Sequence, residues 1–160
     1  MVRIALLLLA LFLTAMSRPP PYVNPLPAEV VDALRFSDIS FDATQVPSTR
    51  SELAIRKAET LVQRRLLERL GSQFTPGKGN AALVVYVTRF DLLGTFDRPE
   101  EIRLSLSADV VQDGKAVHYE SGGVVVGRVQ TSQGVIDASE RLPMAAKHEA
   151  DNVYNMIFYR

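Results

Sequence analysis

Residues 102–129 read IRLSLSADVVQDGKAVHYESGGVVVGRV, and this stretch decides how the rest of the chain must fold. Ile102, Leu104, Leu106, Ala108 and Val110 alternate with Arg103, Ser105, Ser107 and Asp109. Period-two alternation marks a strand with one buried and one wet face. Asp113-Gly114 follows, a pair suited to a two-residue type I′ turn, whose central positions both need positive φ. Turning there opposes Val110 to Val117, Ala108 to Tyr119 and Leu106 to Ser121, with Asp109 against His118 on the other face. A ribbon with one oily side has to be covered. The flanking segments supply the cover.

The best helix lies upstream. Thr49 and Glu52 form a T-x-x-E capping box, and Gly71 stands where a left-handed residue would end the helix. At 100° per residue, Ala54, Ile55, Ala58, Leu61, Val62, Leu66 and Leu70 gather on one arc, with Arg56, Lys57, Gln63 and Arg64 turned away. A second helix is expected from near Pro143, which suits a first helical turn. Ala146, Ala150, Val153, Tyr154, Ile157 and Phe158 make its apolar face.

Three more strand segments complete the list. From Leu34 to Phe41 the apolar parity changes near Ser37-Asp38, which predicts a bulge. Ala81 to Leu93 is apolar on both parities and reads as a strand covered on both faces. Gly122-Gly123 should break or bulge the strand that ends in Val124, Val125 and Val126. Ala28 to Leu34 reads either as a short helical turn or as the lead-in to the first strand. The order β-α-β-β-β-α predicts an α+β fold, a mostly antiparallel four-stranded sheet with two helices packed on one face.

The first 27 residues stand apart. Arg3, the apolar run Ile4 to Met16, and the small residues Ala15 and Ser17 have the anatomy of a secretory signal, with cleavage expected after Ser17. As a helix the run spans ~20 Å against ~30 Å of hydrocarbon, so an uncleaved inner-membrane anchor is the weaker reading. Arg18 to Pro27 holds Pro19, Pro20, Pro21, Pro25 and Pro27, a semi-rigid tether. The division is then 1–17 signal, 18–27 tether and 28–160 a single domain. The protein is expected in the periplasm or outside the cell.

Composition narrows the function. Eighteen Lys and Arg balance eighteen Asp and Glu, so no global field attracts nucleic acid or an anionic bilayer. Cysteine is absent, which excludes disulfides, thiolate metal sites, cysteine nucleophiles and the acylated cysteine of a lipoprotein. Tryptophan, the commonest sugar-stacking platform, is absent too.

Catalytic constellations are not found in the sequence. His118 reads as a surface partner of Asp109. His148, Asp151 and Asn152 have two-ligand spacing on a helix, yet nothing elsewhere completes a metal set. Glu120-Ser121-Gly122-Gly123 lacks the leading glycine of a nucleophile elbow. Gly71 to Lys78 has the wrong spacing and position for a phosphate loop. Glu100-Glu101 is a pair of neighbours in a charged turn. No catalytic residue, metal or cofactor is assigned.

Two places carry weak binding signals. Arg65 and Arg69 fall inside the apolar arc of the first helix, where arginine snorkels to the edge, meets a carboxylate or holds an anion. Arg89 and Asp91, with Asp97 and Arg98, form the most polar cluster beside apolar strand, next to a loop of the kind that carries binding sites.

The long helix Thr49 to Leu70, the strand ending Val87-Thr88-Arg89-Phe90 and the hairpin at Asp113-Gly114, behind a signal and a proline tether, resemble small envelope proteins. These are the envelope proteins and lipoproteins of Gram-negative bacteria, the transport-auxiliary lipoproteins among them. The likeness is architectural and covers most of the chain after the signal. This chain lacks the anchoring cysteine, and no functional residue carries over. The expectation is an exported, non-enzymatic protein that binds another envelope protein or itself, with peripheral membrane association left open. The alternative is a carrier holding a small apolar or lipid-like ligand between sheet and helices, which requires a cavity there.

Overall fold

A computed structural model describes residues 22–47, 52–127, 130–131 and 134–159. The secretory-signal segment, residues 18–21 of the proline-rich stretch and Thr49 of the capping box lie outside the described residues.

The chain runs α1 (Ala28–Ala33), β1 (Phe36–Asp42), α2 (Glu52–Leu70), β2 (Ala81–Gly94), β3 (Pro99–Gln112), β4 (Lys115–Glu120), β5 (Val124–Val126), β6 (Gln130–Thr131), β7 (Gly134–Val135) and α3 (Ala138–Phe158). The fold is α+β. The main sheet has the order β1-β2-β3-β4, and β5 also pairs with β3. β6 and β7 make a separate two-stranded ribbon.

The organising hairpin forms in the expected register. Val110 opposes Val117, Asp109 opposes His118, and Ala108 opposes Tyr119. Ser121 N–H donates to the Leu106 carbonyl at 3.0 Å. Asp113 and Gly114 take φ of 51° and 72°, as a type I′ turn demands. The fourth strand splits into β4 and β5, with the break at Ser121 to Gly123. Gly123 has φ of 74°, which strains any side chain, and a Cβ on it would displace the Ser105 hydroxyl.

Two features depart from simple alternation. The β1 register shifts between Phe36 and Asp38, where the bulge is expected, and β1 pairs with β2 in parallel, joined through α2. In β2 the register against β3 shifts between Val87 and Arg89. Ala81, Leu83, Val85 and Val87 are buried before the bulge; Phe90 is buried after it, on the opposite parity. Phe90 thus joins Leu83, Val85 and Val87 on the covered face, while Val84 and Tyr86 lie on the other face, beside Asp109 and Ser107. This corrects the doubly covered strand expected for Ala81 to Leu93.

α2 and α3 lie side by side on that covered face, running the same way, since Arg65 meets Asp151 and Arg69 meets Asn155. They present alanines to the core: Ala54 and Ala58 from α2, and Ala145, Ala146 and Ala150 from α3, none more than 1% exposed. They share one core with Leu83, Val85, Leu104, Leu106 and Ala108 of the sheet. α3 starts five residues before Pro143. Asp137 caps it by accepting from the Ser139 N–H at 2.8 Å, and Pro143 sits in the second turn.

At the far end of α3 the N-terminal segment closes the helix. Asn24 Nδ2 donates to the carbonyls of Ile157 (2.8 Å) and Tyr159 (3.1 Å). Its Oδ1 accepts from the Tyr119 hydroxyl and the Leu26 N–H. One carboxamide thus ties residues 22–26, α3 and β4 together and satisfies carbonyls that the helix leaves open.

Candidate functional site

Among the described residues no helix lies over the opposite face of the sheet, and its side chains fall in ranks set by the strand register. One rank runs Ser40, Val84, Asp109, His118 from β1 to β4. The next runs Asp42, Tyr86, Ser107, Glu120. Tyr86, Ser107, Asp109, His118 and Glu120 of these ranks, with Gln45 and Thr88, line a concavity of about 520 Å³.

Its polar groups are connected. The Tyr86 hydroxyl donates to Asp109 Oδ2 at 3.0 Å, and His118 Nδ1 lies 2.6 Å from Asp109 Oδ1. Both Asp109 oxygens are therefore engaged. The Tyr86 pKa is raised, first because its proton is held by Asp109, then by burial and by the negative charges of Asp109 and Asp42. The Thr88 hydroxyl donates to the Ser105 carbonyl, which leaves its oxygen able to accept. Ser107 forms the floor. It is only 3% exposed as a residue and opens onto the concavity. Glu120 is exposed and unpaired among the described residues.

Behind the sheet, α3 buries two ionisable side chains that sequence reasoning did not single out. Glu149 is fully buried. Its carboxylate accepts from Leu106 N–H (3.1 Å), from Asn152 Nδ2 (2.9 Å) and from the Ser121 hydroxyl in a short bond. Leu106 lies beside the β4–β5 break, so the carboxylate bonds a β3 amide where the neighbouring strand is interrupted. Glu149 lies three residues after Ala146 and four before Val153, inside the apolar arc of the helix. That position was the signal available in the sequence. Arg141 is 7% exposed and donates to the carbonyls of Pro99, Glu100 and Ile136, fixing the start of β3 to the start of α3. Ser121, committed to Glu149, has no histidine beside it to serve as base.

The sequence-predicted residues separate into two places. Arg65 forms a bidentate pair with Asp151 (2.9 and 3.1 Å) and also meets Glu68. Arg69 donates to Asn155 at 3.1 Å and stacks over the Tyr154 ring at 4.3 Å. Both arginines join α2 to α3. Arg89 and Asp91 lie on the open side and pair with each other at 2.6 Å, both more than half exposed. Asp151 is thus engaged by arginine, and among the described residues no group of three His, Asp or Glu is placed to hold a metal ion. Among the described residues no helix is long and apolar enough to cross a membrane.

No family model matches the chain, and no curated protein matches it. Among solved structures it is similar to the PelC dodecamer from Paraburkholderia phytofirmans (11% identity, 76% of this chain and 89% of that one, TM-score 0.47). It is similar to a minor lipoprotein from Acinetobacter baumannii (17%, 78% and 92%, 0.39). A third is the hypothetical protein CT253 from Chlamydia trachomatis (8%, 78% and 99%, 0.46). Likenesses at this level assign no activity to this chain.

Proposed function

We propose that the chain is an exported envelope protein that works without catalysis, by docking another protein or a second copy of itself on the open face of its sheet. One observation carries the reading: the two helices cover one face, while the other face offers ordered ranks of mixed polar and apolar side chains to solvent. An antiparallel-rich sheet can leave one face wet. Export rests on the N-terminal sequence pattern.

A photo-crosslinking residue at Ala116, exposed on the open side of β4, tests the reading in the exporting cell, with Gln63 on the outer side of α2 as the control. Adducts at position 116 and not at 63 are expected. Adducts only at 63, or none at either, would overturn the proposal.

A further inference from the structure

We infer that the cleft between the start of α2 and the end of β2 binds a single-chain amphiphile with an anionic head, taken up as a monomer from solution. Leu53 and Ala54 of α2 form one wall, and Leu92, Leu93 and Phe96, at and just beyond the end of β2, form the other. Leu92 pairs with the buried Ile102, which places the cleft on the helix side of the sheet, apart from the docking face. Its volume is about 520 Å³, within the range of ~300–1,000 Å³ for small-molecule sites.

Three large apolar side chains left in solvent meet here. Leu53 is 69% exposed, Leu93 59% and Phe96 37%. Single exposed apolar residues are ordinary, whereas three around one concavity mark a surface shaped for something apolar. Among the described residues no charged side chain lines the cleft.

Charge at the rim selects the ligand. Lys57 follows Leu53 by one helical turn and holds its Nζ 5.2 Å from the centroid of the Phe96 ring. Among the described residues this ammonium has no carboxylate partner, whereas the neighbouring Arg56 is paired with Glu52. The Thr95 hydroxyl, inside the cleft, accepts from the Arg98 N–H at 3.2 Å, which leaves its own proton free to donate. Apolar walls that end at an ammonium and a hydroxyl donor fit an acyl chain that carries a carboxylate. A leucine or phenylalanine of a partner protein would fill the walls and leave the ammonium without an anion.

Amide chemical shifts of the full chain, titrated with sodium decanoate below its micelle concentration and with uncharged 1-decanol, test the assignment. Decanoate should shift Leu53, Leu93, Thr95 and Phe96. From octanoate upward, each added methylene should tighten binding by up to about fourfold, as burial of a CH₂ predicts. Lys57→Gln, at an exposed position, should weaken decanoate about threefold and leave decanol unchanged, and added salt should act the same way. Leu93→Ser, also exposed, should weaken both. No shift with decanoate, or a Lys57→Gln effect that is absent or shared by decanol, would overturn the site. Binding confined to anionic phospholipid vesicles would overturn it too, by making the patch a bilayer contact. So would a photo-crosslinking residue at Thr95 that captures protein and no acyl chain in the exporting cell.

Discussion

The two faces of one sheet differ more than any two separate elements of this molecule. Toward the helices, Leu83, Val85, Leu104, Leu106 and Ala108 are inaccessible and packed on alanine. Away from them, Tyr86, Asp109 and His118 form a polar network with open space over it. The same backbone ladder carries both. The covered face does the work of stability, which leaves the other free to be shaped by something outside the chain. The contrast also explains why buried charge appears only behind the sheet. Glu149 and Arg141 bond backbone groups at the β4–β5 break and at the start of β3, whereas Arg89 and Asp91 in front pair with each other in solvent.

The largest test of this contrast is Leu104→Ala against its neighbour Arg103→Ala. The first should cost about 3 kcal/mol in urea denaturation through lost burial and a residual cavity. The second should stay within about 0.5 kcal/mol. Similar losses would break the comparison. Next is Glu149→Ala, which strands the Leu106 N–H, the Ser121 hydroxyl and the Asn152 amide. We expect a loss of about 2–3 kcal/mol and faster amide exchange at Leu106. A neutral result would mean that the strand break holds without the carboxylate.

Arg65→Met removes the bidentate contact between α2 and α3, whose partners are each about a quarter exposed. A cost of about 1 kcal/mol that shrinks in salt is expected, against no measurable cost for Arg89→Met on the open side. The smallest effect is pH-dependent. Asp137, at the cap of α3, has its pKa lowered chiefly by the Ser139 side chain and then by the Ser139 N–H. A lowered folded-state pKa contributes stability above the unfolded-state value and loses it as pH falls through the folded one. Asp137→Ala should therefore melt earlier than the parent at neutral pH and alike once both carboxyl states are protonated. A gap that persists in acid would assign the loss to something other than charge.

Much of the fold was legible because local chemistry fixed it. Asp113-Gly114 can make only a few turns, and the register from Val110 to Leu106 follows from the turn. The β1 bulge and the break at Gly122-Gly123 showed as changes of parity and as glycine. The parallel pairing of β1 with β2 did not show, because nothing local in Phe36 to Asp42 distinguishes a parallel from an antiparallel neighbour. The Val87–Arg89 bulge was hidden by apolar residues on both parities, which suggested a second cover that does not exist. The α3 start was misplaced because Pro143 is the stronger local signal, although Asp137-x-Ser139 carries the cap.

The site was less legible than the fold. Arg65, Arg69, Arg89 and Asp91 were visible as charges near apolar residues, but their partners come from Asp151, Asn155 and each other, which only packing reveals. Ser107 and Glu120 looked like ordinary wet-face residues. What distinguishes them is the rank they share with Tyr86 across three strands, and rank depends on register in β2, where the bulge lies.

Val84 and Val85 are adjacent on β2 and identical in chemistry, and they point to opposite faces. The denaturation midpoints of Val84→Asp and Val85→Asp test the central claim most directly. The account predicts that Val85→Asp loses at least about 3 kcal/mol or fails to fold, while Val84→Asp stays within about 1 kcal/mol of the parent. Equal losses would contradict it, because the uncovered face would then be as closed as the covered one.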